Sequence, residues 1–432
     1  MITINLDKTR IIAIALLASC AGAYASSAQG CATPNQDGTE QAASPKRNQE
    51  QTLFRNKDAQ YRIPSIVECR SGKIIAFADH RYDNKDIGGG RHIDIVMKES
   101  ANHGASWTAN ERIIAKGGNR TASSFDCAHG DAATVVDRKS GEILLMCASG
   151  GVGYWESTRA NPQMMGRYYS NDEGKTWQAR EVTSEIYGLM DDMESAFFTS
   201  GRICQSSRIK AGSHYRLYTA LTTHKGNRVL YSDDFGNTWA VLGGNAEATA
   251  PKGDEAKLAE LPDGNVLISS RTQNGRFFNI FKYADTAAAE GTWGEVAMSS
   301  AKNRGVRNGD SACNGEIINV KAKDADDKAV DILLQSVPTG PGRSNVAIFY
   351  KALRTPSDYA SPEAIASDWE GSYQVSNTTS AYSTMVQTKD GDIIFLYEEN
   401  AFRNPETEPD DYYDIVFKHF TINEITAGKY HM

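Results

Sequence analysis

The sequence predicts an all-β fold, a six-bladed β-propeller of four-stranded antiparallel blades, on two observations. A polar turn ending in tryptophan recurs as "SANHGASW" (Ser100–Trp107), "SNDEGKTW" (Ser170–Trp177) and "SDDFGNTW" (Ser232–Trp239). Between these boxes run short β-rich segments such as "HIDIVMKES", "EILLMCAS", "HYRLYTAL" and "NVLISSR", broken by Gly, Asn and Asp. Many short strands in a repeating unit are the mark of a blade architecture. With a worn fourth copy, "EGTW" (Glu290–Trp293), the tryptophans stand at 107, 177, 239 and 293, so 70, 62 and 54 residues apart. That spacing suits four-stranded blades with some extra loop, and the roughly 380 residues from about position 52 onward divide into about six of them.

The N-terminus precedes this pattern. Lys8 and Arg10 lead into "IIAIALLA", and "AYA" (Ala23–Ala25) offers a small-residue cleavage site, so residues 1–25 read as a secretory signal. "LASC" ending at Cys20 also matches a bacterial lipoprotein box, in which Cys20 becomes the acylated first residue. The two readings lead to a protein exported free or held on a membrane by an N-terminal lipid alone. Residues 26–51 are rich in Ser, Ala, Gln, Asn, Pro and charge, with few large apolar side chains, and read as a disordered linker.

The 432-residue chain is 40% hydrophobic and 23% charged, enough to bury a sizeable core. Its net charge of −8 argues against non-specific binding to nucleic acid. The seven cysteines form no CxxC pair, and the eight histidines no HExxH-type pair, so neither a metal nor another cofactor is expected.

In the boxes, Asp172 and Asp234 are placed to accept backbone N–H groups in a tight turn, with Asn102 in the first copy preserving the bond without the charge. Gly174 and Gly236 can take positive φ, and Trp177 and Trp239 can bury apolar area between blades. The same chemistry at several separate blades suits architecture better than catalysis.

Chemistry is expected where loops of several blades converge. "YRIPSIV" (Tyr61–Val67) puts Arg62 at the mouth of an apolar strand, ahead of an Ile-Pro pair. With the boxes, this Arg-Ile-Pro sequence resembles the bacterial exo-α-sialidase (neuraminidase) family with its Asp boxes, over residues 52–432. The resemblance implies a catalytic propeller and a set of roles. "FADHRYDNKDIGGGRHIDIV" is similar to the stretch supplying an arginine behind the site, here Arg81, and a general acid/base, here Asp86. Asp83 lies in the same loop, and Asp86 is preferred on its five-residue offset from Arg81. "DEAKLAELPDGNVLISSR" offers Glu255 as partner of a tyrosine and Arg271 as a carboxylate-binding arginine, "GPGRSN" offers Arg343 as another, and "SAYSTMV" offers Tyr382 as nucleophile. Asp131, in "HGDAATVVD", resembles an aspartate that binds the upper substituents of the sugar. The region of Trp155 and Met164–Met165 does not match closely enough for assignment.

These residue types suit the implied substrate. A terminal sialic acid carries an ionised carboxylate on its anomeric carbon. Three guanidiniums grip such a group with charge-assisted bonds while staying protonated. A carboxylate nucleophile would be repelled there, whereas a phenol is neutral until its proton leaves, and sialidases are an exception to the two-carboxylate scheme in using tyrosine. The resemblance therefore implies retaining hydrolysis of sialylated glycans (glycoproteins, mucins, glycolipids), with transfer to a glycan acceptor as the alternative and non-catalytic glycan binding as a third reading.

Overall fold

Ile143–Ser149 and Val346–Leu353 are buried along their whole length, because a mid-blade strand has apolar neighbours on both faces. Strands of this kind stack into six sheets in the computed structural model, which describes residues 50–432 except 57–59, 84, 245–247 and 401–412. The expected signal, Cys20 and nearly all of the expected linker lie outside the described residues.

Blade I is Gln60–Glu68, Ile74–Arg81, Ile93–Ser100 and Arg112–Ala115, and blade II is His129–Val136, Ile143–Ser149, Met164–Ser170 and Gln178–Glu181. Blade III pairs His214–Thr223, Gly226–Ser232 and Ala240–Val241 in order, with the inner position of His214–Thr223 shared between Ala196–Phe198 and Cys204–Ala211. Blade IV runs Ala256–Glu260, Val266–Thr272 and Gly275–Asp285, with both Glu290–Trp293 and Ala297–Ser299 on its outer edge. Blade V is Ile317–Lys323, Ala329–Pro338, Val346–Leu353 and Gly371–Gln374. Blade VI is Ser380–Gln387, Ile393–Glu399 and Asp414–Phe420, completed by Gln51–Phe54. Pairing of the first strand with the last closes the ring. That strand begins at Gln51, inside the expected linker, because Leu53 and Phe54 are buried on it.

Three sheets therefore hold one strand beyond four. In blades III and IV an edge position is shared by two short segments, and in blade II Gly201–Arg202 adds in parallel to His129–Val136.

Each box closes in the same way. The serine Oγ accepts the glycine N–H at 2.8 Å in Ser100–Gly104, Ser170–Gly174 and Ser232–Gly236. Oδ1 of Asn102, Asp172 or Asp234 accepts the N–H of the residue four further on at 2.8–2.9 Å. The tryptophans then reach the preceding blade: Trp177 meets Phe77 of blade I edge-on at 6.1 Å, and Trp107 meets Phe417 of blade VI at 5.0 Å. "EGTW" departs from the expectation. Without the serine and the aspartate it makes no box turn, and Glu290–Trp293 is a strand whose Trp293 packs on Phe281.

Below the mouth of the ring the inner strands carry a buried polar layer. Ser65 Oγ bonds Thr134 Oγ1 at 2.5 Å and donates to the Gly201 carbonyl at 2.9 Å, while Thr384 Oγ1 donates to Glu316 Oε2 at 3.0 Å. Lys257 Nζ lies 3.9 Å from Glu316 Oε2 and has no hydrogen-bond partner among the described residues. Burial, only partly offset by Glu316, pushes its amine down to about 8. Between that value and the ordinary lysine range the unfolded chain holds more protons than the folded one, so this group makes stability rise with pH there. A Lys257→Met variant is expected to lose this rise, read as the difference from wild type in urea midpoint between pH 7.5 and 9.5.

Candidate active site

The inner strands of blades I, II and VI each lose register at the point where they face the mouth of the ring. The shifts fall between Arg62 and Ser65, between Gly130 and Ala133, and between Ser380 and Ser383. A bulge re-aims a side chain that regular pleating would turn elsewhere. At the first, Ile63 has φ +54°, a conformation that a β-branched residue adopts only at a cost of about 1–3 kcal/mol. Glu398 holds it there. Its Oε1 accepts the Ile63 N–H at 2.8 Å and Arg62 Nε at 2.8 Å, and its Oε2 accepts the Tyr382 N–H at 3.2 Å. One buried carboxylate thus ties the first and last inner strands together and aims both Arg62 and Tyr382.

At the centre, Tyr382 Oη donates to Glu255 Oε2 at 2.8 Å and accepts from Arg271 Nη1 at 3.2 Å. Arg271 Nη1 also donates to Glu255 Oε2 at 2.5 Å, and its Nε lies 3.3 Å from Asp254 Oδ2. The guanidinium carbons of Arg62 and Arg343 stand 5.8 and 5.7 Å from the centre of the Tyr382 ring. Three guanidiniums from different blades therefore surround one phenol. Arg343 pairs with no carboxylate among the described residues, and its buried Nε has no hydrogen-bond partner, so it is a cation available to an incoming anion.

Burial and the Glu255 carboxylate push the Tyr382 phenol well above its ordinary value, against the pull of Arg271 and Arg343. Glu255 is also raised, chiefly by burial, with Arg271 opposing. The pair is thus a neutral phenol beside a carboxylate more basic than usual. Burial works against the charge of Arg62, but Glu398 outweighs it and keeps the guanidinium firmly protonated.

Asp86 stands opposite, in the loop between Ile74–Arg81 and Ile93–Ser100. Gly88 lets this loop lie close to the neighbouring chain, because a Cβ there would come within 3.2 Å of the Gly153 backbone. The Asp86 side chain is 88% exposed, yet it sits in a concave wall where neighbours crowd it without covering it. Arg81 Nη1 donates to Oδ1, and this cation holds the Asp86 carboxyl below the usual range. Asp83 of the same loop instead faces Arg91, at 3.4 Å. Asp131 is in contrast raised well above the usual range, first by burial and then by the nearby Asp79.

A cavity of about 630 Å³ joins these groups. Arg62, Asp86, Asp131, Glu255, Arg271, Arg343 and Tyr382 all line it, while Arg81 is 3% exposed and stands behind Asp86. The lining also includes Asp254 and the aromatic side chains Tyr154, Trp155 and Phe197. Met165 is buried in a core cluster and Met164 packs at Gly150, so neither enters the cavity. Sequence reasoning did not find Glu398, Asp79, Asp254 or Phe197. The doubled acid in "LYEEN", ending an apolar strand, is the one local sign that could have marked Glu398. The arrangement can clamp an anion, present a neutral nucleophile with its own base, and offer a carboxyl from the other side.

A family model described as a BNR repeat-like domain matches residues 81–395. A sialidase of Paraclostridium sordellii is 27% identical over 316 residues, covering 70% of this chain and 74% of its own. A sialidase of Micromonospora viridifaciens is 26% identical over 355 residues, 78% of this chain, and here the match spans only 50% of the relative's length. Among solved structures, an intramolecular trans-sialidase from Ruminococcus gnavus superposes with a TM-score of 0.65 at 17% identity, over 87% of this chain and 98% of that one.

Proposed function

The chain belongs to the BNR repeat-like domain family, and from that premise we propose that it is a sialidase, a glycoside hydrolase that releases terminal sialic acids from sialylated glycans with retention of configuration. The observation that carries the reading is the Tyr382 hydroxyl bonded to Glu255 beneath three guanidinium groups. Arg62, Arg271 and Arg343 take the carboxylate of the sugar. Tyr382, giving its proton to Glu255, attacks the anomeric carbon, and Asp86 gives a proton to the leaving oxygen. Asp86 then takes a proton from the water that releases the sugar, so two inversions give retention. Asp131 receives the sugar's upper substituents.

The direct test is release of free sialic acid from sialyllactose, followed by NMR for the first anomer formed. The α-anomer is expected from an α-sialoside, and the β-anomer formed first would overturn the double displacement. Substituting Arg343 by Ala is expected to raise KM about 10- to 100-fold with a smaller change in kcat, the loss of one or two charge-assisted bonds of about 1.5–3 kcal/mol. An unchanged KM would remove Arg343 from the clamp.

One observation favours a second reading, transfer to a glycan acceptor. Trp155 is 81% exposed at the cavity edge, stacked on His224 at 5.9 Å and edge-on to Tyr154 at 4.9 Å, as a platform for a second sugar. Sialylated product formed when lactose is added in excess would decide for transfer. From the N-terminal sequence we also propose that the protein is exported, either free after cleavage behind Ala25 or held by a lipid on Cys20. Palmitate labelling that is lost in a Cys20→Ala variant would support the lipid form, an unlabelled wild type would leave the free form, and labelling that persists in the variant would put the lipid elsewhere than Cys20.

A further inference from the structure

Asp79 is fully buried on blade I and has no role in the chemistry above. It shares a strand face with Arg81, and its Oδ2 accepts Arg81 Nη2 at 3.0 Å. Its other oxygen, Oδ1, accepts the backbone N–H of Asp131 at 3.0 Å, across the boundary to blade II. Asp131 needs that bond, because it sits at φ +58° in the bulge of its strand. Next to it Gly130 leaves the room the carboxylate occupies, since a Cβ there would lie 2.8 Å from Asp79 Oδ2. Arg81 in turn gives Nη1 to Asp86 and keeps a buried Nε without a partner among the described residues.

One guanidinium is therefore shared between a buried carboxylate and an exposed one, and what it gives to one it withholds from the other. We propose that Asp79 is a positioning residue that limits the hold of Arg81 on Asp86 and at the same time fixes the strained backbone of Asp131. The proposal rests on the sialidase reading for the role of Asp86, but its physical content does not.

Without a competitor, Arg81 would draw the Asp86 carboxyl further into its ionised form, the wrong direction for a group that must donate a proton. The charged and titratable groups facing Asp79 are Arg81 on its own strand, Asp131 and Cys147 of blade II, and Asp86 of the loop. Arg62, its partner in the strand pairing, bears on Arg81 as a like charge. Among these, Arg81 is the cation bonded to both Asp79 and Asp86, so removing Asp79's charge acts on Asp86 through it.

The test is an Asp79→Asn variant of the full chain, labelled with 13C at aspartate carboxyl carbons and titrated by NMR. Burial pushes Asp79 up to about 6, well above Asp86, so in wild type the Asp86 carboxyl signal is expected to show a second step as Asp79 titrates, and in Asp79→Asn that step is expected to vanish. The alkaline limb of kcat, where bound substrate has raised Asp86 into the range in which Asp79 is charged, is expected to move to lower pH in the variant. A wild-type Asp86 signal without the second step, or a folded variant that keeps it, would overturn the proposal. Should Asp79→Asn not fold, Gly130→Ala keeps every charge but presses on Asp79 Oδ2, and a smaller second step is expected. If wild type releases no sialic acid, the sialidase reading fails, while the carboxyl titration still decides for or against Asp79.

Discussion

A Tyr382→Phe variant is expected to bind sialosides nearly as wild type does and to turn them over at least about 10³–10⁴-fold more slowly, the scale on which removal of a nucleophile acts. The substitution takes away one atom. Phenylalanine keeps the ring that packs with Cys313, Ala381 and Tyr413, and it keeps the face toward Arg62 and Arg343. What goes is the bond to Glu255 at 2.8 Å and the one from Arg271 at 3.2 Å. Glu255 is still paired with Arg271, so no bare buried charge is left, and thermal stability is expected to change by only a few degrees. The clamp of three arginines is untouched, hence a KM close to wild type. Steady-state kinetics on sialyllactose, with a melting curve on the same sample, make the measurement. A variant with wild-type kcat would end the assignment of Tyr382, and one that loses activity only by unfolding would leave the ring, not the hydroxyl, as the essential part.

The legible features were those whose physics is local. A box is readable because a serine, with an Asx two and a glycine four residues further on, closes its own turn, and the spacing of the tryptophans then carries the blade count. Blade III was harder, since its inner position is filled by two segments on either side of Gly201–Arg202, and nothing in "AFFTSGRICQSSRIKA" marks the interruption. "EGTW" shows the reverse error: a tryptophan and a glycine imitate a box, but the bonds that make the turn belong to the missing serine and aspartate. In the site, groups that line the cavity were found through the family resemblance. The supports behind them were not, because they act over long separations. Glu398 meets Arg62 from 336 positions away, and Asp79 meets Asp131 across a blade boundary. Ile63 is the sharpest case. "YRIPSIV" reads as an ordinary strand, and only the contact with Glu398 explains a left-handed isoleucine in it.

An Asp86→Ala variant is expected to lose about 10²–10⁴-fold in kcat on sialyllactose, the usual contribution of a general acid, and much less on an aryl sialoside such as the 4-methylumbelliferyl compound. The difference follows from the leaving group. A sugar hydroxyl leaves as a strong base unless a proton reaches it, whereas a phenol departs as a stable anion without help. Asp86 suits the first task by position: its carboxylate faces the cavity across from Tyr382, and among the described residues Arg81 is its ion-pair partner. Its folded-state acidity alone argues the other way, because Arg81 keeps it ionised in the free protein. Substrate resolves the conflict, since a bound carboxylate neutralises the cationic field of Arg62 and Arg343, both of which now help to hold Asp86 ionised. Loss of that field raises the Asp86 pKa toward the range where it can donate. The variant is expected to stay folded, because an exposed side chain is removed and Arg81 remains paired with Asp79. Equal losses on the two substrates would mean that Asp86 orients the sugar without giving a proton, and no loss on sialyllactose would put the acid elsewhere in the cavity.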